Sequence, residues 1–70
     1  MNLQQQLQLF MVKIRDIYGE KYNIPNIASF LEHIERFHTL NGIPDNSIHE
    51  ENGYYFRVDK EFYDIVKKIK

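Results

Sequence analysis

The sequence predicts a small α+β domain that is mainly α, with the element order helix, helix, β-hairpin, helix. Three segments place apolar residues at spacings of three and four, which is the period of a helix that buries one face. A fourth segment centres on Asn52-Gly53, a pair favoured in two-residue hairpin turns because both positions require a positive φ. The 70 residues are expected to form one domain with a thin core.

The first predicted helix runs from about residue 2 to residue 18. Gly19 then supplies a C-terminal stop, since glycine readily adopts the left-handed conformation that ends many helices. The segment 20–26 is predicted to be a polar connection. The apolar stripe of this helix consists of Leu3, Leu7, Phe10, Ile14 and Ile17.

The second predicted helix begins near Pro25 and continues to about Asn41. Either Asn23 or Asn26 is expected to cap its first turn. Asn41 and the following Gly42 suit a left-handed C-cap, and the proline two residues later prevents the helix from continuing. Its apolar face consists of Ile27, Phe30, Leu31, Ile34 and Phe37.

The predicted hairpin covers residues 47–58 and pairs His49 with Phe56 if Asn52-Gly53 is the whole loop. Tyr54, Phe56 and Val58 then face the core, because alternate residues of a strand share one face. Asp59 is expected to cap the last helix, with a buried stripe of Phe62, Ile65, Val66 and Ile69. We expect one core that contains Phe30, Ile34, Phe37, Phe56, Phe62 and Ile65.

The composition is that of a nearly neutral chain without cysteine. Its formal net charge of −1 gives no overall field that draws the molecule onto nucleic acid or an anionic membrane. Without cysteine there is no disulfide, no thiolate nucleophile and no Cys-based zinc site. No segment approaches the roughly 18 apolar residues of a membrane span, and the first residues lack the features of a signal peptide. The expected location is the cytoplasm.

The side chains suited to catalysis or metal binding are few. His33 and His38 are five residues apart, which is not the spacing that sets two helical ligands over one metal ion. The paired glutamates are expected to be solvated, and the three glycines are isolated rather than grouped in a phosphate-binding loop. The sequence therefore predicts neither an enzyme, nor a cofactor, nor a metal site.

The capped helix PNIASFLEHIERFHTLNGI, followed directly by the tight hairpin EENGYYFRV and another helix, resembles the second half of a winged helix-turn-helix domain. The resemblance covers about residues 22–66. In that family one helix lies in the DNA major groove, and the hairpin, or wing, reaches the backbone or the minor groove. The resemblance implies a winged-helix-like, DNA-binding or DNA-associated accessory protein that binds weakly or as a dimer. The residues it assigns to DNA are Asn26, Ser29, His33 and Arg36 on the helix and Tyr55 and Arg57 on the wing.

The alternative is a protein that acts by protein–protein contact without binding DNA. Compact, aromatic-rich and nearly neutral proteins of this length are similar to phage and mobile-element accessory proteins, including inhibitors of host defence. Self-association is also open, because so small a domain gains stability from additional buried area. The anchors expected at an interface with a larger protein are Tyr54, Tyr55, Phe62 and Tyr63, whose rigid rings suit that role.

Overall fold

The computed structural model describes residues 12–69, which form two helices and three two-stranded antiparallel sheets. About 36% of these residues are helical and 34% lie in strands, so the prediction of a mainly α domain is wrong. The order is hairpin, helix, hairpin, hairpin, helix instead of helix, helix, hairpin, helix. Most of the predicted first helix, residues 2–11, lies outside the described residues. Neither described helix has the length and hydrophobicity needed to cross a bilayer.

Each sheet is a local hairpin, because β1 pairs with β2, β3 with β4, and β5 with β6. In chain order the elements are β1 (Val12–Arg15), β2 (Lys21–Ile24), α1 (Ile27–Phe37), β3 (Thr39–Leu40), β4 (Ile43–Pro44), β5 (Ile48–Glu51), β6 (Tyr54–Arg57) and α2 (Lys60–Ile69).

The β1–β2 hairpin replaces the end of the predicted first helix. Ile14 pairs with Tyr22, and the side chains of β1 alternate between partly buried and exposed positions. This period of two places Val12 and Ile14 toward the core and the intervening cations toward solvent. The helix prediction is therefore wrong over residues 12–18. Gly19, with φ of 82°, lies in the turn of this hairpin rather than at a helix end.

Helix α1 begins at Ile27, two residues after the predicted start near Pro25, and ends earlier than predicted. The Asn26 side chain accepts a hydrogen bond from the Ser29 N–H at 3.0 Å, so Asn26, one of the two predicted caps, is the N-cap. The helix ends at Phe37, and the N–H of the C-cap residue His38 donates to the Ile34 carbonyl oxygen at 2.9 Å.

The pair Asn41-Gly42 forms the turn of the β3–β4 hairpin. The prediction that this pair caps the C-terminus of α1 is wrong. Both residues have positive φ, 53° for Asn41 and 79° for Gly42. A two-residue turn with both positions left-handed is a hairpin turn of type I′ geometry. The shortening of α1 follows from this turn, because its flanking residues pair as strands, with Leu40 opposite Ile43.

The β5–β6 hairpin confirms the predicted turn and register. Asn52 and Gly53 have φ of 52° and 85°, and His49 pairs with Phe56. Phe56 and Val58 are 1% and 0% exposed. The core face of this hairpin is therefore the predicted one.

The hydrophobic core joins β1, β2, α1, β6 and α2. Of its predicted members, Phe37 is 61% exposed and Ile65 is 46% exposed, so both assignments are wrong. Helix α2 instead buries Tyr63, whose hydroxyl donates to a carboxylate oxygen of Glu35 on α1 at 2.7 Å. The buried hydrophobic residues are Tyr22, Ile24, Phe30, Leu31, Ile34, Phe56, Val58, Tyr63 and Val66.

Asp16 connects the first hairpin to the third. Its Oδ1 accepts hydrogen bonds from the N–H groups of Tyr18 and Glu20 at 2.9 and 3.0 Å, and its Oδ2 accepts one from the Tyr55 N–H at 3.2 Å. Burial raises the pKa of Asp16, but the three backbone donors stabilise the carboxylate and leave this pKa below its ordinary value.

A lowered pKa in the folded state makes Asp16 a source of acid sensitivity. The carboxylate stabilises the fold above the ordinary aspartate pKa of about 3.9, and this contribution is lost as the pH falls through the lower folded-state pKa. We expect Asp16→Ala to lower the melting temperature at pH 7. Below about pH 4, the melting temperature of the variant is expected to decrease less with falling pH than that of the parent chain. Melting curves of both chains between neutral and acid pH check this. Identical melting temperatures at pH 7 would show that Asp16 does not hold the hairpins together.

Candidate metal centre

Three histidines converge at the end of α1. His33 is exposed on the helix, His38 follows its last residue, and His49 is buried in β5. One ring nitrogen from each lies within 4.8 Å of the others. The ring centroids are 4.6, 5.2 and 5.5 Å apart. The spacing rule for two ligands on one helix does not apply to this cluster, because the helix ends at Phe37.

The segment after β4 fixes the ring of His38. The N–H of Asp45 donates to the His38 carbonyl oxygen at 3.0 Å, and the Asp45 carboxylate accepts hydrogen bonds from both the N–H and the hydroxyl of Ser47. The Ser47 Oγ in turn lies 2.6 Å from Nδ1 of His38. Because the hydroxyl proton is donated to Asp45, Nδ1 of His38 is the donor to Ser47. Nε2 of His38 therefore carries the lone pair.

A second carboxylate fixes the ring of His49. Nε2 of His49 lies 3.0 Å from Oε1 of Glu51. The other oxygen of Glu51 accepts a hydrogen bond from the Tyr22 hydroxyl, which itself accepts one from Nδ2 of Asn52 at 2.9 Å. Nδ1 of His49 makes no hydrogen bond to residues 12–69. A histidine oriented through its second nitrogen by a carboxylate is the usual arrangement of a metal ligand.

The protonation state of His38 suits metal binding. Burial lowers the pKa of His38 below its ordinary value, the neighbouring His49 and His33 lower it further, and Asp45 opposes them. The neutral imidazole is the form that ligates a metal ion. His38 is thus in its metal-binding form at neutral pH.

The cluster is somewhat more open than a loaded zinc site. Zn–N bonds of about 2.0–2.1 Å in tetrahedral geometry set the ligand nitrogens about 3.3 Å apart. The ligand nitrogens, which lie up to 4.8 Å apart, must therefore move closer together when an ion binds. Ser47 and Glu51 hold the rings of His38 and His49, whereas His33 is exposed.

A cavity of about 370 Å³ opens beside His33 and His49. Glu50 and Glu51 are among its lining residues, and the Glu50 carboxylate accepts a hydrogen bond from the Gly53 N–H at 2.8 Å. The Glu51 carboxylate, 3.0 Å from the His49 ring, favours a cation bound nearby. The complete lining is Pro25, Asn26, Ser29, Phe30, His33, His49, Glu50 and Glu51.

Comparisons with protein-family models, with curated proteins and with solved structures find no match to this chain. The winged helix-turn-helix resemblance, and the accessory functions that it implies, therefore stay predictions. The geometry of the histidine cluster is the basis for the functional proposal below.

The residues assigned to DNA fall in different parts of the surface. Asn26, Ser29 and His33 line the cavity that also contains Glu50 and Glu51. Carboxylates at this position repel the phosphates of a nucleic acid. The Asn26 side chain is already engaged as the cap of α1.

The other three DNA candidates lie away from that cavity or contact their own chain. Nη2 of Arg36 lies 3.8 Å from Oε1 of Glu32 on the exposed side of α1. Arg57 donates to the Asn46 carbonyl oxygen at 2.8 Å, and Tyr55 is 39% exposed on the same strand. DNA binding stays a prediction, and so does a cytoplasmic location.

The four residues expected to anchor a protein partner are divided between core and surface. Tyr63 is buried, and Tyr54 and Phe62 are half-buried against the core. Only Tyr55 of the four has the exposure of a surface residue. A cluster of all four on one interface is therefore not formed in this fold.

Proposed function

We propose that this chain is a zinc-binding protein in which His33, His38 and His49 hold one ion. The observation that carries the proposal is the convergence of three imidazoles from the helix, its C-cap and β5, with their ligand nitrogens within 4.8 Å. Zinc accepts three imidazoles in tetrahedral geometry, whereas magnesium and calcium prefer oxygen ligands. The hydrogen bonds that His38 and His49 donate to Ser47 and Glu51 further support the proposal, because they orient two of the rings.

The ion is proposed to stabilise the fold. Its ligands belong to α1, to the residue after it and to β5, so the ion cross-links a helix to a hairpin that follows it in the chain. Small domains commonly obtain part of their stability from such a structural metal. Binding free energy at a site that exists only in the folded chain is also folding free energy.

Thermal denaturation with and without zinc tests this function. Free zinc at 100 times its dissociation constant adds about 2.7 kcal/mol to the free energy of unfolding. At about 4–8 °C for each kcal/mol in a domain of this size, the melting temperature is expected to rise by roughly 10–20 °C and to return when a chelator is added. Magnesium at the same concentration is the control. Superimposable curves in zinc and magnesium would rule the function out.

A second candidate function is contact with a larger protein, and the tip of the β3–β4 hairpin supports it. Leu40 and Ile43 are paired across the tip and are 71% and 68% exposed. Exposed apolar residues grouped in this way are typical of interaction surfaces. Capture of a partner from the native host by the parent chain, but not by a variant with serine at both positions, would support it. Equal capture by the parent chain and the variant would exclude the tip as the binding surface.

A further inference from the structure

We propose that residues 1–11, the segment that precedes β1, dock their apolar side chains into a groove between β1 and α2. The groove has a volume of about 350 Å³ and is lined by Lys13, Ile14, Arg15, Phe62, Ile65 and Ile69. The three histidines are not among its lining residues, so this docking site is independent of the metal site.

The groove exposes an apolar stripe of α2 that the rest of the described chain leaves uncovered. Phe62, Ile65 and Ile69 recur at spacings of three and four residues and therefore share one face of the helix. Ile65 and Ile69 are exposed, whereas Val66, the residue after Ile65, is completely buried. Ile14 lines the groove from the side of β1 and is half-buried. Covering this stripe removes apolar surface from water and is therefore favourable.

The segment of residues 1–11 joins directly to the strand that borders the groove. Consecutive Cα atoms are 3.8 Å apart, so the Cα atom of Phe10 lies within about 7.6 Å of that of Val12, the first residue of β1. The next two residues of β1, Lys13 and Ile14, already line the groove. The segment therefore reaches the groove without an intervening linker.

The side chains of this segment match the groove in spacing and in charge. Leu3, Leu7 and Phe10 are separated by four and three residues, the same intervals that separate the three apolar residues on α2. Residues 1–11 contain no aspartate, glutamate, lysine or arginine, so docking buries no charged side chain of the segment. Four glutamines lie between its apolar residues and suit the side that remains in water.

Engineered disulfides test this contact, because the chain has no cysteine of its own. Leu3→Cys, Leu7→Cys and Phe10→Cys are each combined with Ile65→Cys in the full chain, and each variant is oxidised at low protein concentration. A disulfide forms only where the two Cα atoms approach to within about 7 Å. At least one of the three pairs is expected to give a cross-linked monomer, which electrophoresis separates from the reduced chain and peptide mapping identifies.

The matched control replaces Ile65→Cys with Ile43→Cys. Ile43 is likewise exposed, but it lies at the β3–β4 tip and lines a different cavity. Pairs that contain Ile43→Cys are expected to stay reduced over the time in which the best Ile65→Cys pair is oxidised.

Urea denaturation gives a second measurement that requires no cysteine. Leu7→Ala and Ile65→Ala are each expected to lower the urea midpoint, and the double variant is expected to lower it by less than the sum of the two, because residues in contact are not additive. Leu7→Ala combined with Ile43→Ala is expected to be additive.

Three results would overturn the docking of this segment. Cysteines that stay reduced in all three Ile65→Cys pairs, or that are oxidised as quickly with Ile43→Cys, would show that the segment does not lie in the groove. Covalent dimers in place of cross-linked monomers would show that a second copy of the chain covers it. Strictly additive midpoints for Leu7→Ala and Ile65→Ala would show that the two side chains do not interact.

Discussion

Replacement of Phe56 by alanine is expected to destabilise the domain by about 3–5 kcal/mol. The Phe56 side chain is 1% exposed, and its ring centroid lies 5.7 Å from that of Phe30, 5.6 Å from that of Phe62 and 5.9 Å from that of Tyr22. Loss of the ring removes contacts to both helices and to the first hairpin and leaves a cavity between them. A small domain has only about 5–15 kcal/mol of stability, so the variant is expected to be close to unfolding.

The matched control is Phe37→Ala, the same chemical change at an exposed position. Phe37 is 61% exposed at the end of α1, and surface substitutions usually change stability by no more than about 0.5 kcal/mol. Urea denaturation, followed by circular dichroism, gives the change in the free energy of unfolding for both variants. Similar midpoints for the two variants would show that Phe56 is not at the centre of the core.

The local parts of the fold were predictable from sequence because local chemistry determines them. Asn52 and Gly53 adopt the left-handed conformations that the pair favours, and this turn fixes the register that sets His49 opposite Phe56. Asn26 caps α1 and Asp59 caps α2, whose Phe62 N–H donates to Oδ1 of Asp59 at 2.9 Å. Each of these features depends on a few adjacent residues.

The wrong predictions concern segments whose residues suit two kinds of local structure. In these segments, pairing with residues farther along the chain determines which structure forms. Ile14 belongs to an apolar series with helical spacing, yet it also alternates with Val12, and its pairing with Tyr22 selects the strand. Asn41-Gly42 suits a helix C-cap as well as a hairpin turn. The same Asn-Gly pair predicts the hairpin turn at residues 52–53, and this likeness was the signal that favoured a hairpin at residues 41–42.

The sequence did not indicate the histidine cluster, because the helical spacing rule considers only residues of one helix. The spacing of His33 and His38 excludes a pair of ligands within a helix, but His38 lies beyond the end of α1. The third histidine lies in the hairpin, and the predicted register places His49 on the core side, opposite Phe56. That register was the available signal, whereas the packing of β5 against α1 was not visible in the sequence.

Substitution of His33 by alanine is expected to weaken zinc binding by at least about 100-fold. Loss of a residue that only orients a ligand weakens metal binding about 10–100-fold, and loss of a ligand has a larger effect. The His33 side chain is exposed, so its removal is expected to leave the fold intact. Ser47→Ala, which removes the partner of His38, is expected to give a smaller loss of about 10–100-fold.

Arg36→Ala is the matched control for His33→Ala. Arg36 lies on the same helix, and its exposed guanidinium lies 3.8 Å from the carboxylate of Glu32. Its removal is expected to leave zinc affinity unchanged. Circular dichroism of all these variants without metal establishes that each one is folded before its affinity is measured.

Calorimetric titration of zinc into the parent chain, His33→Ala and Arg36→Ala tests the histidine site most directly. The parent and Arg36→Ala are expected to bind one ion per chain with the same affinity, and His33→Ala is expected to lose at least about 100-fold of that affinity. If folded His33→Ala binds zinc as tightly as the parent, the three histidines do not form the metal centre.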